Sequence, residues 1–209
     1  MMDTLLAAAW QGAGVSVSWL EALAVLAALA MVACNIRQIH WGWPLAMLSS
    51  ALYGMLFWHS QLYGNALLQL VFIAAAAWGW RQWLGGSALA AADGRAGLAI
   101  ASLPRRQTAW LALAWLVLWV VLGLPMQWSD AAAPWPDAFV TAGSLVGQYL
   151  LGRKYLQNWT VWLVVNLCSV LLFASQGLWP TAALYAVFAL LSVLGWRVWR
   201  AQHRNRVAA

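Results

Sequence analysis

Carboxamide and indole side chains occur in the middle of long apolar segments of this sequence. Asn166 lies within one segment, and Trp159, Trp162, Ser169 and Phe173 recur around it at intervals of three and four residues. On a helix this spacing places all five residues on one face. Polar groups at membrane depth are costly, so they require a partner or a function. The pattern predicts an aromatic wall that carries one amide.

A second carboxamide, Gln69, lies in the middle of another apolar segment, and Tyr53 and Tyr149 lie in two more. Apolar walls with a few placed polar groups are typical of small-molecule sites, and these residues suit a flat aromatic ligand. The alternative is that polar side chains hydrogen-bond one helix to the next. We favour ligand binding for Asn166 and Gln69, and the interhelical alternative for Gln148.

The candidate substrate-binding residues are therefore Gln69, Trp162, Asn166, Trp159, Tyr53 and Tyr149. We predict no catalytic residue, metal site or cofactor, because the sequence lacks the common nucleophile, zinc and nucleotide motifs. Two acids near predicted helix starts could act as proton carriers, but we favour a structural explanation for both. Glu21 completes a capping box with Ser18, and Asp137 follows a proline in a first helical turn.

Composition identifies the solvent of this chain as lipid. Of its 209 residues 65% are hydrophobic and only 8% are charged, whereas soluble domains carry about 25% charged residues. The net charge of +6 resides in short basic clusters that separate apolar runs. That arrangement is typical of membrane loops, so it argues against nucleic-acid binding.

Seven runs are long enough to cross a bilayer, which needs about 17–25 residues per helix. We predict spans at 16–34, 43–59, 62–80, 108–124, 137–151, 159–174 and 178–196, with a loop of Gly, Ala and Ser across 85–107. No Lys or Arg lies inside any span. We therefore expect phosphorylated nucleotides to be poor substrates, because a phosphate needs a cationic partner.

The basic residues predict the orientation. With seven spans, all eleven Lys and Arg residues fall on one side of the membrane, and Asp3, Glu21, Asp130 and Asp137 fall on the other. Asp93 is the one acid on the basic side. Cytoplasmic loops are rich in Lys and Arg, so we predict an outside N-terminus and a cytoplasmic C-terminus.

An internal repeat appears when the sequence is shifted by 116 positions, which aligns residues 19–83 with 135–199. Trp19, Trp43, Trp80 and Trp83 then meet tryptophans, and Gly79-Trp80-Arg81 meets an identical triplet. The predicted fold is all-α, with two parallel three-helix repeats joined by a linker helix (3+1+3). Transporters built from such repeats hold substrate near the midplane at the repeat interface.

The domain prediction follows from the repeat. Its parts are an interfacial lead-in at 1–15, a first repeat at 16–83, a loop and linker helix at 84–134, a second repeat at 135–199 and a basic tail at 200–209.

Several motifs resemble the PnuC-type family of bacterial vitamin transporters. They are Leu62-Tyr63-Gly64-Asn65 followed by Gln69, the Trp78-Gly79-Trp80 block with Trp83, and Arg153-Lys154 followed by Asn158-Trp159-Thr160-Val161-Trp162 and Asn166. The resemblance covers about residues 19–199. It implies a SWEET-like fold assembled as a homotrimer in the bacterial inner membrane. At matching positions, Gln69, Trp162 and Asn166 would bind the ring and ribose of a ligand.

The resemblance also implies a function. It implies facilitated diffusion of an unphosphorylated vitamin, with nicotinamide riboside preferred over thiamine or riboflavin, and trapping of the vitamin by a cytoplasmic kinase. Alternating access would carry the solute, with its ring stacked on Trp162. Two other classes remain as alternatives: a membrane-embedded enzyme, and an assembly or sensory subunit without flux.

Overall fold

The computed structural model describes residues 8–12, 15–59, 63–92, 98–128 and 133–208. In this part of the chain two short antiparallel strands precede seven helices. The strands are β1 (Ala8–Gly12) and β2 (Val15–Ser18); the helices are α1 (Trp19–Ile36), α2 (Gly42–His59), α3 (Tyr63–Ala92), α4 (Arg105–Met126), α5 (Pro134–Gly152), α6 (Asn158–Ser175) and α7 (Trp179–Ala208). Each of the seven predicted segments is helical, which confirms the predicted number and order of helices.

Four of these helices are long and apolar enough to cross a membrane by length and composition: α1, α4, α6 and α7. Polar residues such as Ser49 in α2, Gln69 in α3 and Gln148 in α5 lower the hydropathy of the other three. Crossing by α2, α3 and α5 therefore stays a prediction.

Two helices extend past their predicted ends. The predicted loop at 85–107 was wrong in its first part, because α3 continues to Ala92. Ala and Leu favour helix strongly enough to carry the chain past Gly85 and Gly86. Likewise α7 continues beyond residue 196 to Ala208. The arginines in this extension have a high helix propensity, so the helix can continue after the apolar segment ends.

The N-terminal boundary also differs from the prediction. Residues 15–18 form β2, and α1 begins at Trp19 rather than residue 16. Ser18 is the N-cap of α1, and its hydroxyl accepts a hydrogen bond from the Glu21 amide at 3.1 Å. This bond confirms the capping role predicted for Ser18.

Some residues used in the sequence predictions lie outside the described part of the chain. They are Asp3, Leu62, Asp93, Arg95 and Asp130. The side chains of Tyr63 and Asn65 are also not described.

The chain forms two compact units, Met1–Arg81 and Gln82–Ala209. In the first unit α1 packs against α2. In the second unit α4, α5, α6 and α7 pack in sequence order, each against the next. The predicted domain boundaries stay a prediction.

The turns after α1 and after α5 have the same conformation. Gln38 and Lys154 are the two described non-glycine residues with positive φ, at 57° and 53°, and they lie 116 positions apart. In the first turn the Ile39 amide donates to the Cys34 carbonyl at 2.8 Å, and in the second the Tyr155 amide donates to Leu150 at 2.9 Å. Both turns are Schellman motifs in which a non-glycine residue occupies the left-handed position.

A close glycine–tryptophan contact is present in each unit. A Cβ built on Gly79 would collide with the ring of Trp43, and a Cβ on Gly195 would lie 2.5–2.6 Å from the ring of Trp159. The two glycines and the two tryptophans are again 116 positions apart. Glycine at these positions lets an indole pack directly on the helix backbone.

Residues 98–103, from the predicted loop, are attached to the turn after α5. The Ala101 amide donates to the Lys154 carbonyl at 3.1 Å, and the Leu156 amide donates to the Ala101 carbonyl at 2.9 Å. The Gln157 side chain accepts from the Leu103 amide at 3.1 Å and donates to the Leu103 carbonyl at 3.2 Å. The two backbone bonds form an isolated parallel β-bridge between Ala101 and Tyr155. Together with the Gln157 bonds they hold the segment that leads into α4 against this turn.

We expect Gln157→Ala to weaken the attachment of residues 98–103 to the turn after α5. The variant loses two backbone-directed hydrogen bonds, each worth about 0.5–1.5 kcal/mol, while the backbone bonds of Ala101 remain. The measurement is the rate of limited trypsin cleavage at Arg105 and Arg106, which we expect to increase. Gln176→Ala, at an exposed glutamine, is the control. Equal cleavage rates in both variants would contradict the proposed attachment.

Candidate functional site

The predicted aromatic face of α6 packs against α7. Asn166 is buried, with 5% of its surface exposed. Its Nδ2 donates to the Ser192 hydroxyl at 3.2 Å, and Ser192 Oγ donates to the Phe188 carbonyl at 2.8 Å. Asn166 therefore meets α7 through one of its amide hydrogens. Within the described residues its Oδ1 has no hydrogen-bond partner.

Trp162 lies one turn before Asn166 and approaches α5. A Cβ built on Gly147 would lie 3.0 Å from Cε2 and 3.2 Å from Nε1 of its indole. The ring is half-buried, and the absent side chain at Gly147 allows α5 to come this close. Trp162 and Asn166 share the helix face predicted from the sequence.

Trp159 occupies a more enclosed position than the sequence suggests. It is 3% exposed, it packs on Gly195, and its ring meets Trp199 edge to face at 5.5 Å between centroids. Its Nε1 is buried without a hydrogen-bond partner among the described residues. This packing gives Trp159 a structural role, and its predicted contact with ligand stays a prediction.

Trp83 and Lys154 extend the cluster formed by Trp159 and Trp199 at this end of the second unit. Trp83 Nε1 donates to the Leu151 carbonyl at 3.1 Å, and the rings of Trp83 and Trp199 are 6.4 Å apart. The Lys154 Nζ lies 4.4 Å from the centroid of Trp83, a cation–π contact. Burial lowers the pKa of Lys154 from its ordinary value. The sequence aligned Trp83 with Trp199 but did not indicate their contact.

Aromatic side chains also pack between α6 and α7 at the opposite end of α6. Phe173 stacks on Tyr185 of α7 at 5.1 Å, and Tyr185 meets Phe188 edge to face at 5.9 Å. Asn166 and Ser192 therefore lie at mid-length of the α6–α7 contact, with aromatic clusters at both ends.

The other candidates lie elsewhere in the chain. In the first unit Gln69 of α3 is half-buried, and its Cβ would lie 3.4 Å from a Cβ built on Gly54 of α2. The neighbouring Tyr53 stacks on Phe57 at 5.9 Å. Tyr149 of α5 is 42% exposed. Gln69 and Asn166 belong to different units, and the prediction that they hold one ligand stays a prediction.

Two polar residues of the second unit received too little weight in the sequence analysis. Ser192 was not selected, although it is the partner of Asn166. Gln148 was assigned to interhelical hydrogen bonding, yet it has no such bond among the described residues. Their positions within apolar segments were the available signal. The difference between them is that Ser192 has a hydrogen-bond partner and Gln148 has none in the described part of the chain. That difference depends on the neighbouring helices, which the sequence pattern does not show.

The chemistry around Asn166 and Trp162 is that of recognition. The groups are carboxamides, hydroxyls and indoles, and the described residues hold no cluster of His, Cys, Asp or Glu that could bind a metal. Amides and hydroxyls can pair with uncharged polar groups of a ligand, and indole faces stack on flat rings. This set suits a neutral or cationic aromatic solute.

Known proteins of similar sequence are named as transporters. A family model described as nicotinamide mononucleotide transporter matches residues 18–201. The nicotinamide riboside transporter PnuC of Escherichia coli is 28% identical over 92% of this chain and 90% of its own length. The riboflavin/roseoflavin transporter RibM of Streptomyces davaonensis is 31% identical, over 90% of this chain and 87% of its own length.

A solved structure shares the fold. The crystal structure of the vitamin B3 transporter PnuC covers 88% of this chain, and this chain covers 81% of it, with a TM-score of 0.71 and 23% sequence identity. At this sequence identity the similarity shows only that the two proteins share a fold. That shared fold agrees with the all-helical architecture.

Proposed function

Because this chain belongs to the nicotinamide mononucleotide transporter family, we propose that it carries an unphosphorylated B-type vitamin, nicotinamide riboside, across the membrane by facilitated diffusion. The chain is a multi-pass membrane protein whose relatives are transporters rather than enzymes. The observation that carries the choice of solute is the pairing of a buried amide, Asn166, with a half-buried indole, Trp162, on one face of α6.

The absence of phosphate from the substrate follows from charge. The side chains described above as contacting Asn166 and Trp162 carry no positive charge, whereas a phosphate needs charge-assisted hydrogen bonds. Lys154 is engaged with Trp83. Although the family description names a mononucleotide, the names of two relatives, a nicotinamide riboside transporter and a riboflavin transporter, refer to unphosphorylated vitamins.

In the proposed mechanism the vitamin ring stacks on Trp162 while Asn166 and Gln69 hydrogen-bond its polar groups. Alternating access exposes these residues to each side of the membrane in turn. Two parallel repeats in a 3+1+3 arrangement would support this motion. The matching turns at Gln38 and Lys154, 116 positions apart, support the repeat.

The proposal also includes location and assembly. We place the chain in the bacterial inner membrane with its N-terminus outside, because the eleven Lys and Arg residues partition to one side. The homotrimer and the cytoplasmic kinase that traps the vitamin remain parts of the proposal. They rest on the family resemblance.

Riboflavin is the second candidate substrate, because the relative named for riboflavin is 31% identical to this chain. A panel of labelled solutes distinguishes the candidates in liposomes that contain the purified protein. We expect saturable uptake of nicotinamide riboside that stops at equal concentrations inside and outside, and no uptake of nicotinamide mononucleotide. Uptake of riboflavin or thiamine without nicotinamide riboside would reject our choice of vitamin. Absence of any flux would favour a sensory or assembly subunit.

A further inference from the structure

Gln148 of α5 is a buried amide with no assigned role. Its side chain is 8% exposed, and within the described ranges no hydrogen-bond partner is found for it. Ser144, one turn earlier on the same helix, is equally buried, but its hydroxyl donates to the Val140 carbonyl at 2.8 Å. The Gln148 amide atoms are not among the fully enclosed unpaired atoms of the described residues, so they remain accessible at an otherwise buried position. Polar groups in such a place are normally paired with solvent or with a functional partner.

The packing of α5 shows which way Gln148 faces. Val146 and Leu150, two residues before and after it, pack in a cluster with Leu111 and Trp115 of α4. At 100° per residue both lie on the opposite side of the helix from Gln148. Gln148 is buried, so this opposite side faces protein rather than lipid.

The depth of Gln148 matches that of Trp162. Gln148 lies four residues before the end of α5 at Gly152, and Trp162 lies four residues after the start of α6 at Asn158. Both therefore lie about 6 Å from the connecting turn, at 1.5 Å per residue. A Cβ built on the adjacent Gly147 would lie only 3.0 Å from the Trp162 indole. The Gln148 amide and the Trp162 indole therefore lie at the same level of the α5–α6 pair.

We propose that Gln148 contacts the transported vitamin and hydrogen-bonds an uncharged polar group of it while the ring stacks on Trp162. This inference rests on the proposed transport function and deepens it. Asn166 has committed one amide hydrogen to Ser192, whereas Gln148 offers two donors and an acceptor. That set complements a carboxamide or a hydroxyl group, which both donate and accept.

The test uses Gln148→Leu in the full-length protein, because leucine suits a buried helix in a membrane. We expect the affinity for nicotinamide riboside, measured by titration calorimetry, to fall at least tenfold. The ligand-free melting temperature should stay equal or increase, because leucine removes no hydrogen bond between the described helices and adds apolar surface at a buried position. If Gln148 instead hydrogen-bonded one helix to another, the Gln148→Leu variant would have a lower melting temperature. Gln148→Asn, which keeps the amide but shortens its reach, should fold and also bind more weakly.

Ser144→Ala is the matched control on the same helix and face, and it should change neither quantity. Affinity within twofold of wild type in folded Gln148→Leu would overturn the inference while leaving the proposed function intact. A melting temperature that falls in Gln148→Leu would overturn it in favour of a structural role. If the wild-type protein moved no vitamin at all, the transport proposal would fail first, and this inference with it.

Discussion

Liposomes that carry Asn166→Ala should take up nicotinamide riboside about 10- to 100-fold more slowly than those with wild-type protein. Losing a hydrogen bond to a buried ligand group costs about 1–3 kcal/mol, and about 1.4 kcal/mol is a factor of ten. The fold should tolerate the change. The partner, Ser192, keeps its bond to the Phe188 carbonyl, so no hydroxyl is left unpaired.

Ser192→Ala separates ligand binding from helix packing in this prediction. It removes the same 3.2 Å bond between α6 and α7 but leaves the Asn166 amide in place. We expect its uptake to stay within a few-fold of wild type. Equal losses in the two variants would indicate that the Asn166–Ser192 bond acts only in packing, and normal uptake by Asn166→Ala would remove Asn166 from the site. The initial rate of labelled uptake is the measurement.

Gly195→Ala should destabilise the protein more than any other single methyl addition discussed for the second unit. The new Cβ would lie 2.5 Å from the Trp159 ring. That ring is 3% exposed and also packs on Trp199, so it has little room to move. Overpacking of this kind costs about 1–3 kcal/mol. The melting temperature in detergent should fall by several degrees.

Gly85→Ala is the control for the glycine prediction. Within the described part of the chain, and apart from the backbone of α3 itself and the adjacent residues, no atom lies within 4 Å of a Cβ built on Gly85. Alanine should therefore stabilise the helix, by about 1 kcal/mol. Gly79→Ala should behave like Gly195→Ala, because its Cβ would collide with Trp43. A melting temperature that is unchanged in both Gly79→Ala and Gly195→Ala would contradict the close-packing explanation.

The helices were predictable from sequence because hydropathy and charge vary over lengths of about 20 residues, which is the length of a membrane span. The error at residues 85–92 has a local cause. Gly85-Gly86 suggested a loop, but the alanines that follow favour helix strongly enough to continue α3 to Ala92. The cap at Ser18 was predictable because a capping bond depends on residues three positions apart.

The candidate site was predictable only as a helix face. Spacing placed Trp159, Trp162 and Asn166 together, and the structure keeps them on the side of α6 that meets α7 and α5. Spacing could not show that Trp159 is enclosed by Trp199 or that Trp162 remains half-buried next to Gly147. Those differences depend on the neighbouring helix, which helical periodicity does not describe.

By itself the sequence determined the lipid solvent, the seven helices and the 116-residue periodicity that matches Gln38 with Lys154 and Gly79 with Gly195. Only the tertiary structure decided which amides are already paired. Asn166 has a hydroxyl partner on α7, whereas the described residues provide none for Gln148. The physical reason is that a hydrogen bond requires its two groups within about 3.2 Å, and helix packing sets that distance.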